Sequence, residues 1–153
     1  MNDVVSHRRS YLYMIPGIDA YIEEKMAKLL VVDDDKNLLL GISRILSKAG
    51  FDVITANDGF MGIQKAQNEQ PDLILLDVNM PVMNGFQVKK ILDNTPATQY
   101  IPTIFLTALS DRGHILDGLN MAEDYLTKPF DTRILRLRFL KNINTEEKPH
   151  FLC

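Results

Sequence analysis

The sequence of 153 residues contains one cysteine and no tryptophan. A single cysteine, Cys153, cannot form an internal disulfide, which favours a reducing compartment. Long apolar runs are absent too, since no stretch approaches the roughly 18 residues that cross a bilayer. Near the N-terminus, the run Tyr11–Ile15 ends at Pro16 and is shorter than the roughly 7–15 apolar residues of a secretory signal. We therefore expect a cytoplasmic protein without a membrane segment.

A surplus of basic residues is also missing. The 17 Lys and Arg residues and the 20 Asp and Glu residues give a net charge of -3, whereas a nucleic-acid-binding domain is usually strongly basic. Arg133, Arg136 and Arg138 near the C-terminus therefore indicate a solvated or partner-facing helix side, and we expect no nucleic acid as a ligand. The apolar share of 46% is enough for a packed core, so the length predicts one globular domain.

Two patterns alternate regularly along the sequence. Short apolar runs predict five β-strands, and the lack of polar alternation in the first and third predicts burial on both faces. These runs are Leu29–Val32, Asp52–Thr55, Leu73–Leu76, Thr103–Leu106 and Tyr125–Thr127. A segment with apolar residues at helical spacing follows each run, and the fourth of these is a short helix that starts at Ser110. Strands that alternate with helices predict a doubly wound α/β fold with a parallel sheet.

Polar residues and glycines mark the expected ends of the helices. We interpret Asp35 as the cap of the first helix and Gly50 as the residue that ends it. Asp58 lies in a turn that precedes the second helix, and Thr132 is predicted to cap the last one.

The pattern runs from Lys28 to about Asn142 and divides the chain into three parts. Residues 1–27 are predicted to be an N-terminal extension, flexible or partly helical, and residues 143–153 a C-terminal tail or linker. Only about 11 residues follow the last predicted helix, too few for an effector domain. We expect either a stand-alone domain or the front part of a longer protein.

Polar side chains follow the strands at the edge where open parallel sheets bind ligands. Asp33 and Asp34 follow the first run and Asp77 the third, while Thr107 and Lys128 follow the fourth and fifth. Crowded carboxylates must take up protons or bind a cation, and oxygen ligands with room for water favour Mg²⁺. A metal, an ammonium and a hydroxyl stabilise a phosphoryl group in transfer, and a carboxylate can be the nucleophile. The residues thus predict phosphoryl chemistry.

Four motifs carry a resemblance to a known family. They are Leu29–Asp34, Leu75–Pro81 with Gly85, Phe105–Ala108 and Asp124–Phe130. In this order, each at a predicted strand end, they resemble the receiver domain of two-component response regulators from Lys28 to about Asn142. The resemblance implies a flavodoxin-like, five-stranded parallel sheet of order 2-1-3-4-5 with five helices. The segment from Gly118 to Tyr125 departs from the family, because it is one residue short and lacks the glycine that ends the fourth helix.

The resemblance also implies a phosphoacceptor and a metal site. Asp77 matches the phosphoacceptor aspartate, which is also a metal ligand. Asp33 and Asp34 match the acidic pair of the site, and Asn79 matches the residue whose backbone carbonyl completes the metal shell. The implied cofactor is Mg²⁺, and the implied phosphodonor is a sensor histidine kinase or a phosphotransfer protein.

Further residues match the family's phosphoryl contacts and its switch. Thr107 and Lys128 match the hydroxyl and the lysine that contact the phosphoryl group, and with Asp77 they form the implied catalytic set. Tyr125 matches the switch aromatic, which moves inward as Thr107 engages the phosphoryl group. A cis peptide bond usually precedes the residue equivalent to Pro129. The implied function is a signalling switch that assists its own phosphorylation and dephosphorylation rather than an enzyme, and a homodimer is compatible with it.

Two other functions fit parts of this pattern. An aspartyl-phosphate hydrolase uses a similar nucleophile but usually has a second acid two residues later, where this chain has Asn79. A receiver-like interaction module that takes no phosphate would not need the set of acids, threonine and lysine. Steady turnover of phosphate esters would favour the first alternative, and failure to bind Mg²⁺ would favour the second.

Overall fold

The computed structural model describes residues 26–108 and 124–147, which contain five strands and four helices. The strands are β1 (Lys28–Val32), β2 (Asp52–Ala56), β3 (Leu73–Asp77), β4 (Thr103–Thr107) and β5 (Asp124–Thr127). The helices are α1 (Lys36–Lys48), α2 (Gly59–Glu69), α3 (Gly85–Asp93) and α4 (Thr132–Glu147), the last being the fifth predicted helix. Every predicted strand is present, with both ends within one residue of the prediction.

All neighbouring strands of the sheet are parallel, in the order β2-β1-β3-β4-β5. The predicted flavodoxin-like, doubly wound sheet is therefore confirmed. Val32 of β1 pairs with Ala56 on one side and with Leu76 on the other, so the acids that follow β1 and end β3 lie at one edge. The strand order reverses at β1 and β3, and the crevice beyond their carboxyl ends is where such sheets bind ligands.

Helices bury the sheet on both faces. Because alternate residues of a strand point to opposite faces, each apolar run contributes to two cores. Leu29 and Val31 belong to the core that α1 and α4 cover, while Leu30 and Val32 belong to the core that α2 and α3 cover. All four side chains are fully buried, and burying each one stabilises the fold by about 1.5–3 kcal/mol. Burial on both faces explains why β1 is apolar throughout.

The predicted ends of the first two helices are confirmed. The Asp35 carboxylate accepts backbone N–H groups from the first turn of α1, and the Asp58 carboxylate accepts the N–H of Met61 at 2.7 Å in α2. Gly50 follows α1 with a φ of 99°, a left-handed conformation that glycine adopts without steric cost. The Asp35 and Asp58 caps fix where the loops from β1 and β2 enter α1 and α2 at the ligand-binding edge.

The last helix differs from the prediction at both ends. Thr132, the predicted cap, is its first residue, and the Asp131 carboxylate instead accepts the N–H of Arg133 at 2.8 Å. Aspartate and threonine are both good caps, so the sequence pattern alone did not separate two adjacent candidates. The helix also continues past Asn142 to Glu147, because backbone hydrogen bonding extends beyond the last apolar residue that predicted it.

Several predictions lie outside the described residues. They concern the short fourth helix that starts at Ser110, the shortened segment before Asp124, the N-terminal extension up to residue 25 and the tail from residue 148. Within the residues that are described, no helix combines the length and apolar character needed to cross a membrane.

Candidate functional site

The turn between β1 and α1 carries the first acids of the site. Asp33 follows β1, is 1% exposed, and accepts the backbone N–H of Asp35 on Oδ1 at 2.9 Å. Its own N–H donates to the carbonyl of Ala56 at 3.1 Å, which ties the turn to the end of β2. Asp34 is exposed, and Asp35 serves as the cap of α1. The three consecutive acids therefore have three different environments.

Asp77 ends β3 at the same edge of the sheet and is 5% exposed. The loop that follows returns to this residue, since the N–H of Gly85 donates to the carbonyl of Val78 at 2.9 Å. A Cβ atom at position 85 would clash with the backbone carbonyl oxygen of Asp77. Glycine at position 85 therefore allows the β3–α3 loop to pack directly against the backbone of Asp77.

Lys128 joins the two buried acids. Its Nζ lies 2.7 Å from Asp33 Oδ2 and 2.8 Å from Asp77 Oδ1. Its backbone N–H donates to the carbonyl of Thr107 at 2.7 Å, and the peptide bond to Pro129 is cis, as the resemblance implies. Because Lys128 is 95 residues from Asp33 and 51 from Asp77 in the sequence, the sheet topology creates this contact.

Burial and neighbouring charges change the acid–base properties of this group. Burial, the largest effect, raises the pKa of Asp77 to about 6; Asp33 and Asp34 act in the same direction, against the hydrogen bond and charge of Lys128. Burial lowers the pKa of Lys128, but the hydrogen bonds and charges of Asp33 and Asp77 outweigh this effect and raise it. One ammonium thus leaves part of the negative charge at this edge uncompensated.

The three acids form a group that suits a divalent cation. One carboxylate oxygen each from Asp33, Asp34 and Asp77 lies within 4.8 Å of the others. Carboxylate oxygens are hard ligands of the type that Mg²⁺ prefers, and the exposure of Asp34 leaves access for water or phosphate. Asn79, the fourth predicted ligand, is exposed in the loop that follows Asp77. The structure therefore clusters three of the predicted ligands and places the fourth in the adjoining loop.

Thr107 and Tyr125 lie on β4 and β5, at the side of the site. Thr107 is fully buried, and its hydroxyl donates to the carbonyl of Leu126 at 3.5 Å, the limit of a hydrogen bond. Tyr125 is half-buried, with its ring centroid 5.4 Å from that of Phe105, and burial raises its pKa. In this structure the Thr107 hydroxyl contacts the neighbouring strand, and the Tyr125 ring contacts the core.

Val82 in the β3–α3 loop is a feature that the sequence analysis missed. It has a φ of 70° and is 91% exposed. Positive φ is a genuine outlier for a β-branched residue. Pro81 and Asn84 indicate a turn here, but they do not indicate which residue takes the left-handed conformation.

The fold and the site together define a class of protein: a doubly wound α/β domain with three carboxylates and a lysine at the crevice of its central strands. A family model described as the response regulator receiver domain matches residues 29–140. The chain therefore belongs to the receiver domain family of two-component response regulators. Members of this family are signalling switches and generally not classical enzymes.

The relatives of this chain differ in length. The alkaline phosphatase synthesis transcriptional regulatory protein PhoP of Bacillus subtilis is 40% identical over 112 residues, which are 72% of this chain and 46% of PhoP. Protein PilH of Pseudomonas aeruginosa is 38% identical over 120 residues, which are 78% of this chain and 96% of PilH. The chain thus spans less than half of one relative and nearly all of another.

A solved structure agrees with the fold and the family. Chemotaxis protein CheY4 of Vibrio cholerae is 36% identical and superimposes with a TM-score of 0.68. The match covers 77% of this chain and 98% of the CheY4 chain.

Proposed function

We propose that this receiver domain accepts a phosphoryl group on Asp77. The observation that carries the proposal is the Lys128 ammonium, which lies 2.8 Å from the Asp77 carboxylate and 2.7 Å from that of Asp33. A carboxylate nucleophile, an ammonium and hard oxygen ligands at one crevice are the groups that phosphoryl transfer requires. The phosphodonor is a sensor histidine kinase or a phosphotransfer protein.

The nucleophile is Asp77 in its ionised form. With a pKa of about 6, most of this carboxylate is ionised above about pH 7. Lys128 contacts Oδ1, so we assign Oδ2 as the attacking atom. It bonds to phosphorus as the bond from phosphorus to the donor's imidazole nitrogen breaks. The leaving imidazole keeps the electron pair, and the product is an aspartyl phosphate, a mixed anhydride.

The donor chemistry of the acid cluster fits Mg²⁺ as the cofactor. Asp33, Asp34, Asp77 and the backbone carbonyl of Asn79 would hold the ion. When bound, Mg²⁺ offsets the carboxylate charge and polarises phosphoryl oxygens. This assignment explains why three acids cluster at a partly buried edge where one lysine contacts only two of them.

Thr107, Lys128 and Tyr125 respond to the phosphoryl group. Lys128 has three donors and can contact a phosphoryl oxygen while it keeps a contact with Asp33. The long hydrogen bond of Thr107 costs little to exchange for a phosphoryl oxygen. The added charge of about -1.5 to -2 then biases the surrounding loops, and Tyr125 follows Thr107 inward.

The chain acts as a switch that assists its own phosphorylation and dephosphorylation. We assign residues 28–142 to the receiver unit, extended by the helical residues up to Glu147. We place the protein in the cytoplasm. Downstream, the switch acts on a partner protein or on a second copy of the chain.

Phosphorylation of the purified chain tests this function. Incubation with Mg²⁺ and acetyl phosphate should increase the intact mass by one phosphoryl group, and Asp77→Asn should remove the increase. Asp58→Asn is the matched control, because asparagine is as good a helix cap as aspartate and position 58 is outside the acid cluster. An unchanged mass for the wild-type chain, or equal labelling of Asp77→Asn, would refute the proposal.

A further inference from the structure

A cavity lies beside the edge strand β2, between α1 and α2. Its volume is about 330 Å³, which is within the range of sites for small organic molecules. Lys36 and Ser43 of α1 line one wall, and Met61 and Lys65 of α2 line the other. None of these residues belongs to the acid cluster at Asp77.

Two ammonium groups reach this cavity without an acid partner. Among the described side chains, neither Lys36 nor Lys65 forms an ion pair. The acids nearest to the cavity in the sequence are used elsewhere, because Asp35 caps α1 and Asp58 caps α2. The two lysines therefore bring positive charge to the cavity lining that no described ion pair offsets, and this charge favours an anion as ligand.

The position of the cavity relative to the helices also favours an anion. Lys36 is the first residue of α1, and Met61 lies in the first turn of α2. The amino-terminal end of a helix carries partial positive charge, and beyond the capping residues Asp35 and Asp58 the first turns of α1 and α2 contain no acidic residue. A lysine at the start of α1 adds a cation where an anion is favoured.

Lys65 is held in place for such a contact. Its Nζ donates to the backbone carbonyl of Thr55 at 2.6 Å, and the side chain is half-buried. Two of its three donor hydrogens remain for a ligand. The bond also covers an unpaired carbonyl of the edge strand, which protects β2 from pairing with another chain. That protective role accounts for Lys65 alone and does not explain the second lysine or the cavity.

The rest of the lining is apolar or neutral. Leu39, Leu40 and Met61 provide an apolar surface, and Leu40 is 53% exposed on an otherwise polar helix side. Ser43 and Asn57 add neutral hydrogen-bonding groups. A small inorganic ion would use the lysines and leave the apolar part in contact with water.

We propose that the cavity between α1 and α2 binds a small organic anion, with its charged group at Lys36 and Lys65 and its apolar body against Leu40 and Met61. A nucleoside monophosphate has a charged group and a larger body of suitable size for this lining. The site is separate from the phosphoacceptor, so its occupation does not depend on phosphorylation of Asp77.

The proposal can be tested by titrating the full chain with adenosine monophosphate in the absence of Mg²⁺. The chemical shifts of the backbone amides in NMR spectra report the binding. We expect saturable shifts at Lys36, Asn57 and Met61. Affinity should be at least about tenfold higher than for adenosine or for inorganic phosphate, because each of these lacks one half of the ligand. Affinity should also fall as salt concentration rises. No saturable shift at these residues, or equal binding of either half-ligand, would overturn the proposal.

Variants separate the cavity from the rest of the surface. Lys65→Gln and Leu40→Glu should each weaken binding at least about fivefold, the first by removing a cation and the second by adding a like charge. Lys90→Gln on α3 is the matched control and should bind as the wild type does, because it removes an exposed lysine outside the cavity. Unchanged affinity in both cavity variants would contradict the proposal. Asp77→Asn should bind normally, which distinguishes this site from the proposed phosphorylation.

Discussion

The two edges of the central sheet use acidic residues in opposite ways. At the amino-terminal edge, the Asp72 carboxylate accepts the backbone N–H of Lys28 at 2.7 Å, and the Lys28 ammonium lies 3.7 Å from Glu69. These two acids contact different groups of Lys28, its backbone N–H and its ammonium. At the carboxyl-terminal edge, Asp77 and a second buried acid share Lys128, and the pKa of Asp77 rises to about 6.

This difference indicates that one edge stabilises the fold and the other carries the function. An acid that satisfies a backbone donor adds stability, whereas a buried acid with incomplete compensation reduces it. Natural proteins retain such a cost where chemistry needs it. Removal of an acid should therefore change stability in opposite directions at the two edges.

The largest expected effect concerns the close packing of Gly85 against the backbone of Asp77 at the carboxyl-terminal edge. Gly85→Ala should lower the free energy of unfolding by about 3 kcal/mol or more, because the new Cβ meets the Asp77 backbone carbonyl, which is not a flexible group. Gly41→Ala in α1 is the control: no atom lies within 4 Å of its Cβ, and it should stabilise by about 0.5–1 kcal/mol. Urea unfolding measures both, and a Gly85→Ala loss no larger than that of typical surface changes would contradict the tight loop.

The next effect concerns the loss of folding stability caused by burying the Asp77 carboxylate. Asp77→Asn should raise the free energy of unfolding by up to about 3 kcal/mol at pH 8 without Mg²⁺, because the pKa of Asp77 rises from 3.8 to about 6 and each pKa unit corresponds to about 1.36 kcal/mol. The folded-state pKa exceeds the ordinary 3.8, so wild-type stability attributable to Asp77 falls as pH rises from about 4 to about 6. The advantage of the variant should therefore be complete above about pH 7 and disappear below about pH 4. Destabilisation by Asp77→Asn at pH 8 would contradict the proposed difference in stability effects between the two edges.

At the amino-terminal edge, removal of an acid should lower the free energy of unfolding. Asp72→Ala should lower the free energy of unfolding by about 1 kcal/mol, because the backbone N–H of Lys28 loses its acceptor. Glu69→Ala, which removes the acid 3.7 Å from the Lys28 ammonium and leaves the Asp72 hydrogen bond in place, provides a reference for an exposed ion pair. Chemical unfolding at pH 7 measures both variants. Stabilisation by Asp72→Ala would mean that the two edges do not differ as described.

The smallest effect concerns the loop over the carboxyl-terminal edge. Val82→Gly should raise the free energy of unfolding by about 0.5–1 kcal/mol, because glycine adopts a φ of 70° without the steric cost that valine has. Val82→Ala keeps a Cβ atom, so its free energy of unfolding should rise less than that of Val82→Gly. Thermal unfolding of the three proteins at one pH gives the ranking, and a loss of stability in Val82→Gly would contradict the backbone geometry.

The strands and the members of the site could be predicted from the sequence, but their contacts could not. Apolar runs buried on both faces have few alternatives to a parallel strand, which is why β1 and β3 were located within one residue. The bridge from Lys128 to Asp33 spans 95 residues and requires the strand order, which came from the family resemblance. The left-handed Val82 and the choice of Asp131 over Thr132 as a cap depend on local backbone geometry that residue types do not fix.

The α1–α2 cavity likewise could not be predicted from the sequence. Lys36 and Lys65 look like ordinary surface lysines in the sequence, and only the packing of the two helices against β2 brings them to one cavity. By contrast, the strand-end acids share an edge in any parallel sheet, so their proximity followed from topology.

Localising the phosphoryl group is the most direct test of the central claim. After incubation with acetyl phosphate and Mg²⁺, borohydride reduces an aspartyl phosphate to homoserine, which peptide mass spectrometry can place in the sequence. We predict homoserine at position 77 and unmodified aspartate at positions 33, 34 and 72. Homoserine at another position, or its absence from a chain that remains folded, would contradict the account.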